Sequence, residues 1–141
     1  MNETYKKYLT YVKEYLTEHK GMESPNPLHP FRSRFQHSIR VLHWCERLVE
    51  GVDNVDTEAL YTAAIFHDVG YADRDNEHHA QRSVQAFREY AQAQRMEETF
   101  SRKVQRLIAC HSDKNRMRDE DADMEMILLM EADLLDEEGA M

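Results

Sequence analysis

Leu60-Tyr61-Thr62-Ala63-Ala64-Ile65-Phe66-His67-Asp68-Val69-Gly70 carries an apolar stripe, Leu60, Ala63 and Ala64, that runs into His67, with Asp68 beside it. Spacings of three and four place these side chains on one face of a helix. Asp56, followed by Thr57-Glu58, has the form of that helix's N-cap, and Gly70 the form of its end. A carboxylate at the buried end of such a stripe needs partners. Taken out of water it costs several kcal/mol unless it is paired or bound to a metal.

The same periodicity recurs on both sides of this stretch. Tyr5, Tyr8, Leu9, Val12, Tyr15 and Leu16 predict an N-terminal helix over residues 3–19, stopped at Gly21. Residues 21–31 hold all three prolines and form the clear non-helical connector. A second helix is predicted from Arg32 to Glu50, a fourth from an Asn76 cap to Ala93, and a fifth from Glu97 to Ser112. After the polar stretch Asp113–Glu120, a sixth runs from Asp121 to Leu135. No segment alternates with period two, and four glycines leave little material for hairpin turns. The predicted fold is all-α, a single-domain bundle of about six helices, with the helical core over 32–141.

Composition narrows the class further. At 141 residues, 41% apolar, the chain can bury one continuous core. It carries 18 basic and 27 acidic residues, net −9, but ten acids and no base lie after residue 118. The first 118 residues are therefore almost neutral, with 17 acids and 18 bases. That balance supplies no basic stripe for a nucleic-acid polymer. No apolar run approaches the ~18 residues of a membrane span, and Met1-Asn2-Glu3-Thr4 does not open a signal peptide. Cys45 and Cys110 fall in helical segments and read as reduced thiols, so the expected location is the cytoplasm.

Five predicted helices bring a titratable group into their apolar stripe. His37 aligns with Val41, Trp44 and Leu48; His67 follows Ala63 and Ala64; and His79 shares a side with Ser83, Ala86, Phe87 and Tyr90. His111 continues Phe100, Val104, Leu107 and Ile108, and Asp133 continues Met126, Leu129 and Met130. One such residue is ordinary in a core or at a helix end, and a His-Asp dipeptide arises by chance in many proteins. Five at once imply that the groups converge and satisfy one another. Imidazole plus carboxylate suits first-row divalent metals, and the absence of cysteine ligands argues against a structural zinc knot. His78, next to His79, reads as solvent-facing, and His19, His29 and His43 have no comparable register and are assigned no role. Of the ten C-terminal acids, Asp133 alone is expected to be buried, the other nine being surface charge.

The series His37, His67-Asp68, His79, His111, Asp133 resembles the HD domain superfamily of metal-dependent phosphohydrolases. Arg34-Phe35-Gln36-His37-Ser38-Ile39-Arg40-Val41 looks like its first-histidine helix, and Ala63-Ala64-Ile65-Phe66-His67-Asp68-Val69-Gly70-Tyr71 like its apolar-apolar-His-Asp-x-Gly motif. His79-Ala80-Gln81-Arg82-Ser83-Val84 is similar to a His-x-x-x-Ser helix, which selects His79 over His78. Ile108-Ala109-Cys110-His111-Ser112 and the segment from Glu131 to Ala140 complete the likeness, from about residue 32 to the end.

The resemblance implies that His37, His67, Asp68 and Asp133 bind one divalent ion. It also implies that His79 and His111 serve a second, with Asp68 bridging both and acting as the catalytic residue. Mn, Fe, Ni, Co, Zn and Mg all fit such ligands. The implied activity is hydrolysis of a small phosphorylated metabolite or nucleotide through a metal-activated water. A non-haem di-iron oxygenase or a non-catalytic, metal-stabilised binding module are the alternatives. Lys114, Arg116 and Arg118, with Arg34 or Arg74, are candidate phosphate contacts, although a solvated basic loop has the same composition. No acidic residue closely follows Asp68 to match the general acid of nucleotidase-like members. The chain ends eight residues after Asp133, where related proteins continue, so a short or truncated member is expected. A homo-oligomer is compatible with this sequence.

Overall fold

The computed structural model describes residues 2–22, 33–71, 78–113 and 122–137, and within them holds six helices and no strand. In chain order they are α1 Glu3–Glu18, α2 Arg34–Leu48, α3 Thr57–Phe66, α4 His79–Ala93, α5 Glu98–Cys110 and α6 Met124–Glu137. Of the sequence expectations, most of the 21–31 connector and the Asn76 cap lie outside the described residues, as do His29, Arg74, Lys114, Arg116 and Arg118.

Helix α3 is the axis of the bundle. Ala59, Leu60, Thr62, Ala63, Ala64, Ile65 and Phe66 are all buried, so it is apolar on nearly every side, as an interior helix must be. It packs against α1, α2, α5 and α6; α2 also packs on α6, and α4 on α5. Its start is the predicted one, with Asp56 Oδ1 accepting from the Ala59 amide at 3.1 Å. Ser33 caps α2 by accepting from the Gln36 amide at 3.0 Å, and Asp123 accepts from Met126 at the start of α6.

Helices α1, α2, α3 and α5 end earlier than their patterns suggest, and for α3 and α5 the residue left outside belongs to the site. α3 stops at Phe66 and α5 at Cys110, leaving His67 and His111 as C-caps that keep right-handed backbone angles. The side-chain register thus continues past the last helical hydrogen bonds. In α2 the buried line is His37, Val41 and Cys45, while Trp44 and Leu48 are only partly covered. The predicted surface character of the acids other than Asp133 is incorrect for two of them. Glu125 is buried and salt-bridged to Lys103 at 2.6 Å, and Asp136 is buried against α2.

Helix α1 lies over α3 and α4 through aromatic contacts. Tyr8 meets Phe66 at 5.5 Å and Tyr11 meets Tyr90 at 4.5 Å between ring centroids. Burial pushes all seven tyrosine phenols upward, Tyr5 to about 12. Each folded value lies above the unfolded one of ~10. Their stabilising contribution is therefore complete below that pH and lost as pH rises through the folded values. An alkaline titration should show tyrosinate absorbance appearing late and together with loss of helical circular dichroism. Ionisation at the ordinary value with helices intact would contradict this packing of α1.

Candidate metal centre

Five helices deliver the six predicted residues to one buried place. His37 sits one turn into α2, His67 and Asp68 follow α3, and His79 opens α4; His111 follows α5, and Asp133 lies in the second half of α6. His37 Nε2 is 3.2 Å from His67 Nε2, 3.0 Å from Asp133 Oδ1 and 3.2 Å from Asp68 Oδ2. His67 Nε2 is 3.5 Å from both carboxylates. The other oxygen of Asp68, Oδ1, faces a second pair, 3.4 Å from His111 Nε2 and 3.5 Å from His79 Nε2, which are 3.2 Å apart. Asp68 therefore stands between two donor groups, one oxygen toward each.

The tautomers can be read from the far side of each ring. His67 Nδ1 lies 2.6 Å from the Ala64 carbonyl, and His111 Nδ1 is bonded to the Ile108 carbonyl. A carbonyl only accepts, so both Nδ1 atoms carry hydrogen and both neutral Nε2 atoms present lone pairs. His37 Nδ1 faces Asp136 Oδ2 at 2.7 Å, with the same consequence. Lone pairs and carboxylate oxygens thus converge at hydrogen-bonding distance, an arrangement that calls for a cation between them. Without metal a proton takes that part. Burial works against charge on His37, but hydrogen bonds to Asp133, Asp136 and Asp68 outweigh it and hold the imidazole well above its ordinary pKa.

The carboxylates shift the other way. Burial disfavours the ionised forms, yet with a proton in place of metal on the facing Nε2 atoms Asp68 is held well below the usual range, by the charge of His67 and hydrogen bonds from His111 and His37. Asp133 is lowered against burial by hydrogen bonds from His37 and His67. Groups of His37, His67 and Asp133, and of His67, Asp68 and His111, place their ligand atoms close enough to hold an ion. The donor set is nitrogen and oxygen only, which fits a first-row divalent metal.

A second layer surrounds this cluster. Arg34 Nη1 donates to Asp68 Oδ2 at 2.9 Å, and its guanidinium lies 4.8 Å from the Tyr71 ring centroid. Tyr71 in turn stacks on His79 at 4.3 Å, so one aromatic ring joins the two sides of the site. Gly70 donates its amide to Ser83 Oγ at 2.7 Å and accepts from Arg82 Nε at 2.6 Å, docking the His-Asp turn onto α4. That contact explains the serine four residues after His79. His78, expected to face solvent, is exposed, and so are His19 and His43.

Three contacts escaped the sequence: the carboxylate of Asp136 on His37, the Arg34–Asp68 pair, and the Lys103–Glu125 pair. For Asp136 a signal existed, since it lies three residues beyond Asp133 and so shares its helix face.

The family model described as HD domain matches residues 34–138, which spans α2 to α6 and all six clustered residues. No curated protein and no solved structure matches the chain. Both the extent of that match and the order of its histidines and aspartates lead to one conclusion: the chain belongs to the HD domain family, within the superfamily of metal-dependent phosphohydrolases.

Proposed function

We propose that the protein is a metal-dependent phosphohydrolase that cleaves a phosphate ester in a small metabolite or nucleotide. The observation that carries this reading is the placement of Asp68, whose two oxygens face two histidine groups from opposite sides. His37, His67, Asp68 and Asp133 would hold one divalent ion, and Asp68, His79 and His111 a second. An ion bound there supplies Lewis acidity, drawing charge from a phosphoryl oxygen and lowering the pKa of water.

The chain's own groups supply the rest. Asp68 stays ionised and can accept a hydrogen bond from the attacking water while orienting it toward phosphorus. Arg34 brings a fixed positive charge to the same carboxylate. Its Nε is buried without a hydrogen-bond partner among the described residues, an unused donor beside the cluster. His79, with 15% of its side chain exposed, marks the solvent side of the cluster, where substrate would enter.

Metal analysis of the purified protein, combined with a panel of phosphomonoesters, phosphodiesters and nucleotides, tests the proposal. Release of phosphate that disappears on chelation and returns with a divalent ion is the expected result. Two tightly held irons with no hydrolysis of any ester would instead indicate oxygen chemistry. A bound ion with neither activity would indicate a purely structural role.

A further inference from the structure

His37 is held from both sides by a single helix. Asp133 and Asp136 are three residues apart on α6 and therefore share a face. Asp133 Oδ1 meets His37 Nε2 at 3.0 Å, and Asp136 Oδ2 meets Nδ1 of the same ring at 2.7 Å. Helix α2 answers with the same spacing: Arg40, three residues after His37, donates Nε to Asp136 Oδ1 at 2.7 Å. The α2–α6 interface thus carries two matched pairs, His37/Arg40 against Asp133/Asp136. His67 and His111 give Nδ1 to carbonyls of their own helices, whereas His37 gives it to a carboxylate that is itself held by a guanidinium.

We infer that Asp136 is a positioning residue for the metal centre, fixing His37 as the Nδ1–H tautomer with its Nε2 lone pair aimed at the ion. Three physical consequences follow from the geometry. The ring cannot rotate without breaking a buried charge-assisted hydrogen bond. A carboxylate at Nδ1 makes Nε2 a stronger donor to a metal than a carbonyl would. Arg40 engages the oxygen that His37 does not use, which orients the carboxylate and keeps its charge in place. Asp136 is only 2% exposed, so solvent does little to weaken either contact. The inference rests on the proposed role of His37 as a ligand.

The test is calorimetric titration of Zn²⁺ into the metal-stripped full chain, for the unaltered protein and for Asp133→Ala, Asp136→Asn and Asp136→Ala. Nitrogen NMR of the histidine rings in the zinc-loaded state accompanies it. Loss of an outer partner of a metal-binding histidine typically weakens affinity about 10–100-fold. Asp136→Asn, which keeps the shape and loses the charge, should fall at the lower end of that range, and Asp136→Ala at the upper end. The His37 ring signals should change in both. Asp133→Ala should lose tight binding altogether.

If both Asp136 variants bind zinc as the unaltered protein does while Asp133→Ala does not, Asp136 has no positioning role and the ligand assignment stands. A lower melting temperature with unchanged zinc affinity and unchanged ring signals would likewise reduce Asp136 to a structural residue. If the unaltered chain binds no zinc, the assignment of His37 as a ligand fails first, and the role of Asp136 fails with it.

Discussion

Asp68→Ala is expected to abolish hydrolysis and metal retention together and to lower the melting temperature sharply. The carboxylate is the acceptor shared by both histidine groups, so its loss removes an oxygen from each proposed ion site at once. Hydrolysis should fall by about a hundred- to a thousandfold, the order lost when one preorganised electrostatic group is removed from a hydrolytic site. Arg34 would lose its carboxylate while only 10% of its side chain is exposed, and breaking a buried pair from one side costs about 3–5 kcal/mol. For a domain of this size that corresponds to roughly 10 °C or more in Tm. Asp68→Asn separates the two effects, because its amide oxygen can still accept from Arg34 but brings no negative charge. It should fold better than the alanine variant and still fail to keep the metal. Full activity with bound metal in either variant would show that the site is elsewhere.

The helical architecture was legible because it depends on local periodicity. The stripes read over 3–19, from the Asp56 cap to Gly70 and over 97–112 appear as the helices Glu3–Glu18, Thr57–Phe66 and Glu98–Cys110, and Asp56 caps α3 as its position before Thr57-Glu58 suggests. The convergence of titratable groups was legible for the same reason, since a residue that continues a buried stripe inherits its direction. His67 and His111 obey that register although they lie just past the ends of α3 and α5.

What periodicity could not supply were contacts that depend on a distant element. Asp136 shares the helix face of Asp133, but the partners that make its burial tolerable, His37 and Arg40, lie 99 and 96 positions away. Glu125 is similar: its burial depends on Lys103 from α5. Among the described C-terminal acids, those at 125, 133 and 136 turn inward, two more than the sequence suggests. Helix α1 ends where Gly21 suggests, but not through a left-handed glycine. The predicted stop at Gly21 falls one residue after the left-handed residue, Lys20, with φ of 57°. Gly21 itself is constrained by its close approach to the backbone of Tyr71.

Gly70→Ala should damage the second half of the site while sparing the first. Gly70 has no positive φ to require glycine; what requires it is space. A Cβ at this position would lie 2.7 Å from the Arg82 carbonyl carbon and closer still to the His79 carbonyl oxygen and the Ser83 amide nitrogen. All three are backbone atoms of the first turn and a half of α4, so no side chain can rotate away to relieve the overlap. The turn carrying Asp68 and the helix carrying His79 must separate. Overpacking of this kind costs about 1–3 kcal/mol, and a shift of about 1 Å in a reacting group can cost about 100-fold in rate. Zinc titration should therefore show the site of His37, His67, Asp68 and Asp133 filling normally while binding that depends on His79 weakens. Ser83→Ala provides the matched control. It removes the acceptor of the buried Gly70 amide, at about 1–3 kcal/mol, without forcing the backbones apart, so it should lower stability more than it alters zinc stoichiometry. A Gly70→Ala protein with unaltered stoichiometry, activity and melting temperature would mean that α4 does not rest on the His-Asp turn. The placement of His79 beside Asp68 would then have lost its support.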